Sequence, residues 1–308
     1  MKAKVSIIGA GNVGATAAQL IAYEGIADIV LFDIIEGMPQ GKALDIMQAC
    51  PLWESSVKVK GTNNYSDTAG SDVVVITSGL PRKPGMSRDD LLHANAEIVK
   101  SVAEETSGLS PDSTVIVVSN PMDLMTYIVW KVSGFEPHRV AGMGGVLDSA
   151  RLRTFVSMEL GVSPDDVEAI VFGGHGDQMV LLPGLITVKG IPITKLISEN
   201  RVDELIHRTR HGGAEIVSLL KTGSAYYAPA ASVLQMVRAI VHNEQRVLSC
   251  SAYLDGEYGT SGLFLGVPVI LGEKGIEKII ELELTDEEKA HFNHSAASVK
   301  ALLDKIKI

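Results

Sequence analysis

Near the N-terminus an apolar run at residues 4–8 leads directly into Gly9-Ala10-Gly11-Asn12-Val13-Gly14, and residues 12–23 then place small and apolar side chains at helical spacing. A second apolar run, 29–32, ends at Asp33. Strand, glycine turn, helix and strand in that order form a βαβ unit, whose two strands lie parallel with the helix crossing one face. The GxGxxG spacing assigns each glycine a task. Gly9 makes the tight turn, Gly11 lets the backbone approach a bound group, and Gly14 lets helix and strand pack closely. The amides at the start of such a helix attract an anion, and a pyrophosphate fits that place. Asp33, nineteen residues after Gly14, stands where an acid meets the hydroxyls of an adenosine ribose and repels a 2′-phosphate. The expected cofactor is therefore NAD rather than NADP, held by Ile8, Gly9, Ala10, Gly11, Asn12, Val13, Gly14 and Asp33. A glycine-rich turn beside a solvated carboxylate is the bland alternative.

Two further Val/Ile-rich runs, 73–77 and 115–119, continue the alternation of strand and helix, as expected of a parallel sheet buried on both faces. From about Gly145 the plan changes to a long helix (147–160), short strand-like runs (167–172, 179–182, 186–188) and a helix through 204–220. The expected fold is α/β: a Rossmann doubly wound parallel sheet, residues 1–143, followed by an α+β catalytic domain, residues 144–308. Gly142-Met143-Gly144-Gly145 falls between them and is expected to act as a hinge. Near the C-terminus Thr285 and Glu288 have the spacing of a capping box at the start of a terminal amphipathic helix.

A chain of 308 residues exceeds what one core usually serves, which suits two lobes and a cleft. Its net charge of −10 argues against nucleic-acid or anionic-membrane partners. No apolar run approaches the about 20 residues that cross a bilayer, and no leader-like segment precedes the first strand, so the cytoplasm is the expected location. Cys50 and Cys250 lie far apart, outside any CxxC spacing, and suggest neither a disulfide nor zinc. His207 and His211 are four apart on a helix but lack a third ligand, so no metal is expected.

The candidate chemistry sits in three clusters. Gly173-Gly174-His175-Gly176-Asp177 follows an apolar run, placing a histidine on a loop with open space around it. Its intrinsic pKa near neutrality suits a proton acceptor and donor, although a lone histidine also serves structure. Asp148 and Arg151 share a helix face; they either pair with each other on the surface or act separately, one orienting a histidine and the other gripping a carboxylate. The irregular segment Gly79-Leu80-Pro81-Arg82-Lys83-Pro84-Gly85-Met86-Ser87-Arg88 reads as a solvated basic loop or as a lid that closes over an anion.

Together, Arg-Lys-Pro-Gly-Met-Ser-Arg, Ser119-Asn120-Pro121, Leu-Asp-Ser-Ala-Arg-Leu-Arg and Gly-Gly-His-Gly-Asp resemble, in order and spacing, the lactate/malate dehydrogenase family over nearly the whole chain. The resemblance implies His175 as proton acceptor and donor, Asp148 as its carboxylate partner, Arg151 as the clamp on the substrate C1 carboxylate and Arg88 as the lid arginine that polarises the reacting carbonyl. It implies that Asn120 contacts substrate, and that Asn95 and the Val118, Ser119 and Asn120 segment border the cofactor. Arg82 then decides the substrate. Lactate-type members carry an uncharged residue there, and an unpaired arginine under a closed lid costs several kcal/mol, so a small dicarboxylate is expected: (S)-malate, oxidised reversibly to oxaloacetate. The rivals are lactate specificity and a noncatalytic NAD-binding protein. The family also implies a homodimer or homotetramer, with the helical segment 44–50 as one interface surface unless that face is buried within its own domain. The extended N-terminal arm of many vertebrate lactate dehydrogenases is not expected.

Overall fold

The computed structural model describes residues 2–80 and 88–306. In the first half β1 (Ala3–Ile8), α1 (Asn12–Glu24), β2 (Ala27–Phe32), α2 (Met38–Ala49), β3 (Val59–Thr62), β4 (Val73–Ile76), α3 (Arg88–Leu109), β5 (Thr114–Val117), α4 (Met122–Ser133) and β6 (Val140–Gly142) succeed one another. Their strands are all parallel, in the order β3-β2-β1-β4-β5-β6. This is the doubly wound arrangement, with its topological switch between β1 and β4.

Alternation along the strands builds two faces. Val5, Ile7, Ile29, Leu31, Val73, Val75 and Ile116 point to one side and pack in one core with residues of α1 and α2. Ile8, Val74, Ile76, Val115 and Val117 point to the other, beneath α3 and α4. Because both faces are covered, the strands read as unbroken apolar runs rather than as alternating ones.

The second half contains α5 (Gly144–Leu160), β7 (Val167–Glu168), β8 (Val171–Gly173), β9 (Met179–Leu181), β10 (Thr187–Val188), β11 (Ile191–Pro192), α6 (Glu199–Leu220), α7 (Tyr227–Val241), β12 (Arg246–Asp255), β13 (Ser261–Gly272), β14 (Gly275–Ile279) and α8 (Asp286–Leu303). Strands β12 and β13 form a long antiparallel pair. Ser251 of β12 bridges Gly142 of β6, which joins the parallel sheet to the antiparallel one. Helix α7 crosses back to the first half: Ala230, Val233, Met236, Val237 and Ile240 lie in the same core cluster as Val5, Ile7, Val73 and Val75. Burial of each large side chain there contributes about 1.5–3 kcal/mol.

At Gly142-Met143-Gly144-Gly145, the segment expected to act as a hinge, the backbone is regular. Gly142 ends β6, and Gly144 and Gly145 open α5, all without left-handed backbone. These glycines answer a demand for space. A Cβ at Gly142 would meet Ser251 Cβ at 2.7 Å, one at Gly144 would meet His175 Cβ at 2.8 Å, and one at Gly145 would meet the Ser249 carbonyl at 2.7 Å. The capping box at Thr285 and Glu288 forms as expected and starts α8. Among the described residues no helix is long and apolar enough to cross a membrane.

Candidate active site

The glycine turn stands at the C-terminal edge of β1, where ligands bind in open α/β sheets. Gly9 has φ +113° and donates its N–H to Phe32 O at 2.8 Å. A Cβ at Gly14 would lie 1.9 Å from Gly9 O, so only glycine allows α1 to start this close to the turn. A Cβ at Gly11, in contrast, would meet nothing within 4 Å. The turn is therefore crowded on its protein side and open at Gly11, and no side chain caps α1. Helix amides exposed in this way fit a diphosphate. Asp33 accepts from the N–H of Ala10 at 2.7 Å and of Ile35 at 3.0 Å, which pins the acid beside the turn and leaves its other lone pairs available to hydroxyl donors. These features fit NAD.

Asn95 on α3 is buried, and its amide is engaged with main chain. It accepts from Leu80 N–H at 2.8 Å and donates to Asn120 O at 3.2 Å, tying the chain after β4 to the chain after β5. Val118 donates its N–H to Ile76 O, the Ser119 hydroxyl donates to Ser78 O, and Asn120 is exposed ahead of Pro121. All of them stand at the same sheet edge as the glycine turn. Arg82 and the rest of the 81–87 segment lie outside the described residues; Arg88 opens α3, and its side chain lies outside them too.

The second cluster gathers around His175, which follows β8 between Gly173 (φ +77°) and Gly176 (φ +102°). His175 Nδ1 lies 2.7 Å from Asp148 Oδ2, and Arg151 Nη1 donates to Asp148 Oδ1 at 3.2 Å. One carboxylate thus holds an imidazole and a guanidinium. Asp148 is only 1% exposed, so the surface-pair reading of Asp148 and Arg151 does not apply. An ionised carboxylate accepts and cannot donate, so Nδ1 carries the hydrogen and Nε2 is left for a ligand. Burial opposes charge on His175, but the Asp148 charge and hydrogen bond, with the charge of Asp123, outweigh both that burial and the repulsion from Arg151; its pKa lies above the ordinary histidine value. Arg151 Nε is buried without a hydrogen-bond partner. Helix α6 leaves space beside this guanidinium, since a Cβ at Gly213 would stand 3.4 Å from Nη2.

The two clusters meet through the start of α5. Met143 N–H donates to Val117 O at 3.0 Å, and Gly144 packs on His175. Sequence reasoning missed the groups that hold the histidine loop. Asp123 on α4 accepts the His175 N–H at 2.8 Å and the Ser251 hydroxyl at 2.6 Å, while Ser295 on α8 accepts the Gly174 N–H at 2.8 Å. A serine within a helix or strand gives no sequence signal, whereas an acid two residues after Asn120-Pro121 in an apolar segment was open to suspicion. His207 and His211 lie exposed on α6 with ring centroids 4.3 Å apart.

A glycine turn for a dinucleotide and an Asp–His–Arg cluster on one sheet edge define an α/β dehydrogenase. Residues 3–142 match the lactate/malate dehydrogenase NAD-binding domain and residues 145–307 the lactate/malate dehydrogenase alpha/beta C-terminal domain. The chain belongs to the lactate/malate dehydrogenase family. It is 59% identical to the malate dehydrogenase of Rhodopirellula baltica over 98% of this chain and 96% of that one. The crystal structure of Cryptosporidium parvum malate dehydrogenase matches with a TM-score of 0.96 at 48% identity, covering 99% of this chain and 98% of that one. The lactate dehydrogenase of the same organism, complexed with lactic acid and nicotinamide adenine dinucleotide, matches with a TM-score of 0.95 at 42% identity, with the same coverage.

Proposed function

We propose that this protein is an NAD-dependent malate dehydrogenase that oxidises (S)-malate reversibly to oxaloacetate. The observation that carries the reading is the Asp148 carboxylate shared by His175 and Arg151. NAD, when bound, supplies the acceptor for the hydride that leaves C2. The remaining work belongs to the chain. Arg151 grips the C1 carboxylate with its guanidinium fork, and Arg82 pairs with the second carboxylate. Asp148 keeps Nδ1 protonated, so His175 takes the hydroxyl proton at Nε2, and the negative surroundings that raise its pKa favour the imidazolium that forms. Asn120 contacts the substrate, Arg88 polarises the reacting carbonyl in the reverse direction, and Gly9, Gly11, Gly14 and Asp33 hold the dinucleotide, bordered by Ile8, Asn12, Val13, Asn95, Val118 and Ser119. Identity to a malate dehydrogenase above that to the lactate enzyme supports the dicarboxylate.

NADH oxidation with oxaloacetate and with pyruvate, in wild type and Arg82→Gln, tests this reading. We expect oxaloacetate to be preferred by orders of magnitude in the wild type and the preference to shrink at least tenfold in the variant; a wild type that prefers pyruvate overturns it. We further propose a homodimer or homotetramer, supported by Leu44 on α2 and Leu52 just after it, 61% and 84% exposed. Native mass spectrometry should read two or four times the chain mass, and a monomer at micromolar concentration refutes this.

A further inference from the structure

The mechanism above leaves one buried carboxylate without a task. Asp123 is 5% exposed and lies in the first turn of α4. Its Oδ2 accepts the main-chain N–H of His175 and its Oδ1 the hydroxyl of Ser251, a fully buried residue of β12. Gly174 is packed so tightly that a Cβ there would stand 3.5 Å from Asp123 Oδ2 and 2.9 Å from Val299 Cγ2. Glycine at 174 therefore lets the loop lie against Val299 and this carboxylate.

Resting on the reading of His175 as acid and base, we propose that Asp123 is a positioning residue for the reaction: its carboxylate anchors the His175 main chain and presents a second negative charge to the imidazole. Asp148 holds the ring from α5 and Asp123 holds the backbone from α4, so two helices fix one residue at two points. The charge count agrees. The charged groups acting on His175 are Asp148 and Asp123 on one side and Arg151 on the other. With neutral His175 this buried group carries one negative charge in excess, and a proton on the imidazole balances it. Burial, with the charge of Asp148, pushes the Asp123 carboxyl above the ordinary carboxylate range, while the Ser251 hydroxyl, the His175 N–H and the His175 charge work for its ionised form, as does the N-terminus of α4. Asp123→Asn keeps an acceptor for the His175 N–H and removes the charge.

The test is the titration of His175 itself, followed by NMR of protein labelled at histidine Cε1, with the resonance assigned by its loss in His175→Asn. We expect Asp123→Asn to lower the His175 midpoint by roughly one pH unit. Malate oxidation needs the neutral imidazole, so the acid limb of kcat/KM should move to lower pH by the same amount, while a packing defect alone would lower kcat/KM at every pH and leave the midpoint in place. Should Asp123→Asn fail to fold, Ser251→Ala removes a donor that stabilises the Asp123 charge and should shift the midpoint in the same direction by a smaller amount. An unchanged midpoint in a folded Asp123→Asn, or in a folded Ser251→Ala where the first does not fold, overturns the proposal. A midpoint that shifts in a protein unable to oxidise malate with NAD sustains this inference while removing the functional reading on which it was placed.

Discussion

At Gly14 one methyl group decides whether the dinucleotide turn can form. The Cβ of an alanine would stand 1.9 Å from Gly9 O and 2.9 Å from Thr77 Oγ1, and the first of these is main chain that cannot rotate away. Either α1 withdraws from β1 or the turn opens, and both move the amides that face the phosphates. Gly14→Ala should weaken NADH binding at least tenfold, read by fluorescence titration, and destabilise the fold by about 1–3 kcal/mol, as overpacking does. A wild-type dissociation constant in a folded variant would mean that this turn does not hold the cofactor. Gly144 obeys the same logic against His175, which explains why glycines cluster where β6 passes into α5.

Among the elements, α7 joins the two halves most firmly. It belongs to the second half by sequence, yet Val233, Met236 and Val237 are fully buried in the core that holds the inner faces of β1 and β4. Met236→Ala should cost about 2–5 kcal/mol. Both tryptophans, Trp53 and Trp130, lie in the first half, so their fluorescence reports a region remote in sequence from the substitution. The loss should appear in that fluorescence as one urea transition moved to lower denaturant. A fluorescence midpoint unmoved by Met236→Ala would mean that the halves unfold separately.

Across the whole molecule, the strands buried on both faces were legible because they appear as apolar runs bounded by glycine and polar residues, and β1, β2, β4 and β5 stand within a few residues of their expected places. Strand β3 escaped notice because an edge strand reading Val59-Lys60-Gly61-Thr62 offers little apolar signal, and β6 because three residues make no pattern. The long pair β12 and β13 received no assignment: its serines and glycines at 249, 251 and 266 interrupt the apolar rhythm at the places where β6, α5 and β8 press against it. In the site, Asp148, Arg151 and His175 were visible as chemistry, whereas Asp123 and Ser295 act through main-chain contacts that depend on how distant segments meet. The packing role of Gly142, Gly144 and Gly145 was hidden for a related reason, since glycine marks positions with no space for a side chain as well as positions of conformational freedom.

The return of α7 to the first half bears on how the chain is made. A ribosome delivers residues 3–142 well before Tyr227–Val241, and during that interval the sheet face that α7 will cover is bare. The nucleotide-binding half cannot complete its core as it emerges; Val73, Val75 and Ile116 stay wet until about a hundred further residues have followed. A fold that looks modular along the sequence is thus committed late in synthesis, and truncated products carry an apolar face open to aggregation.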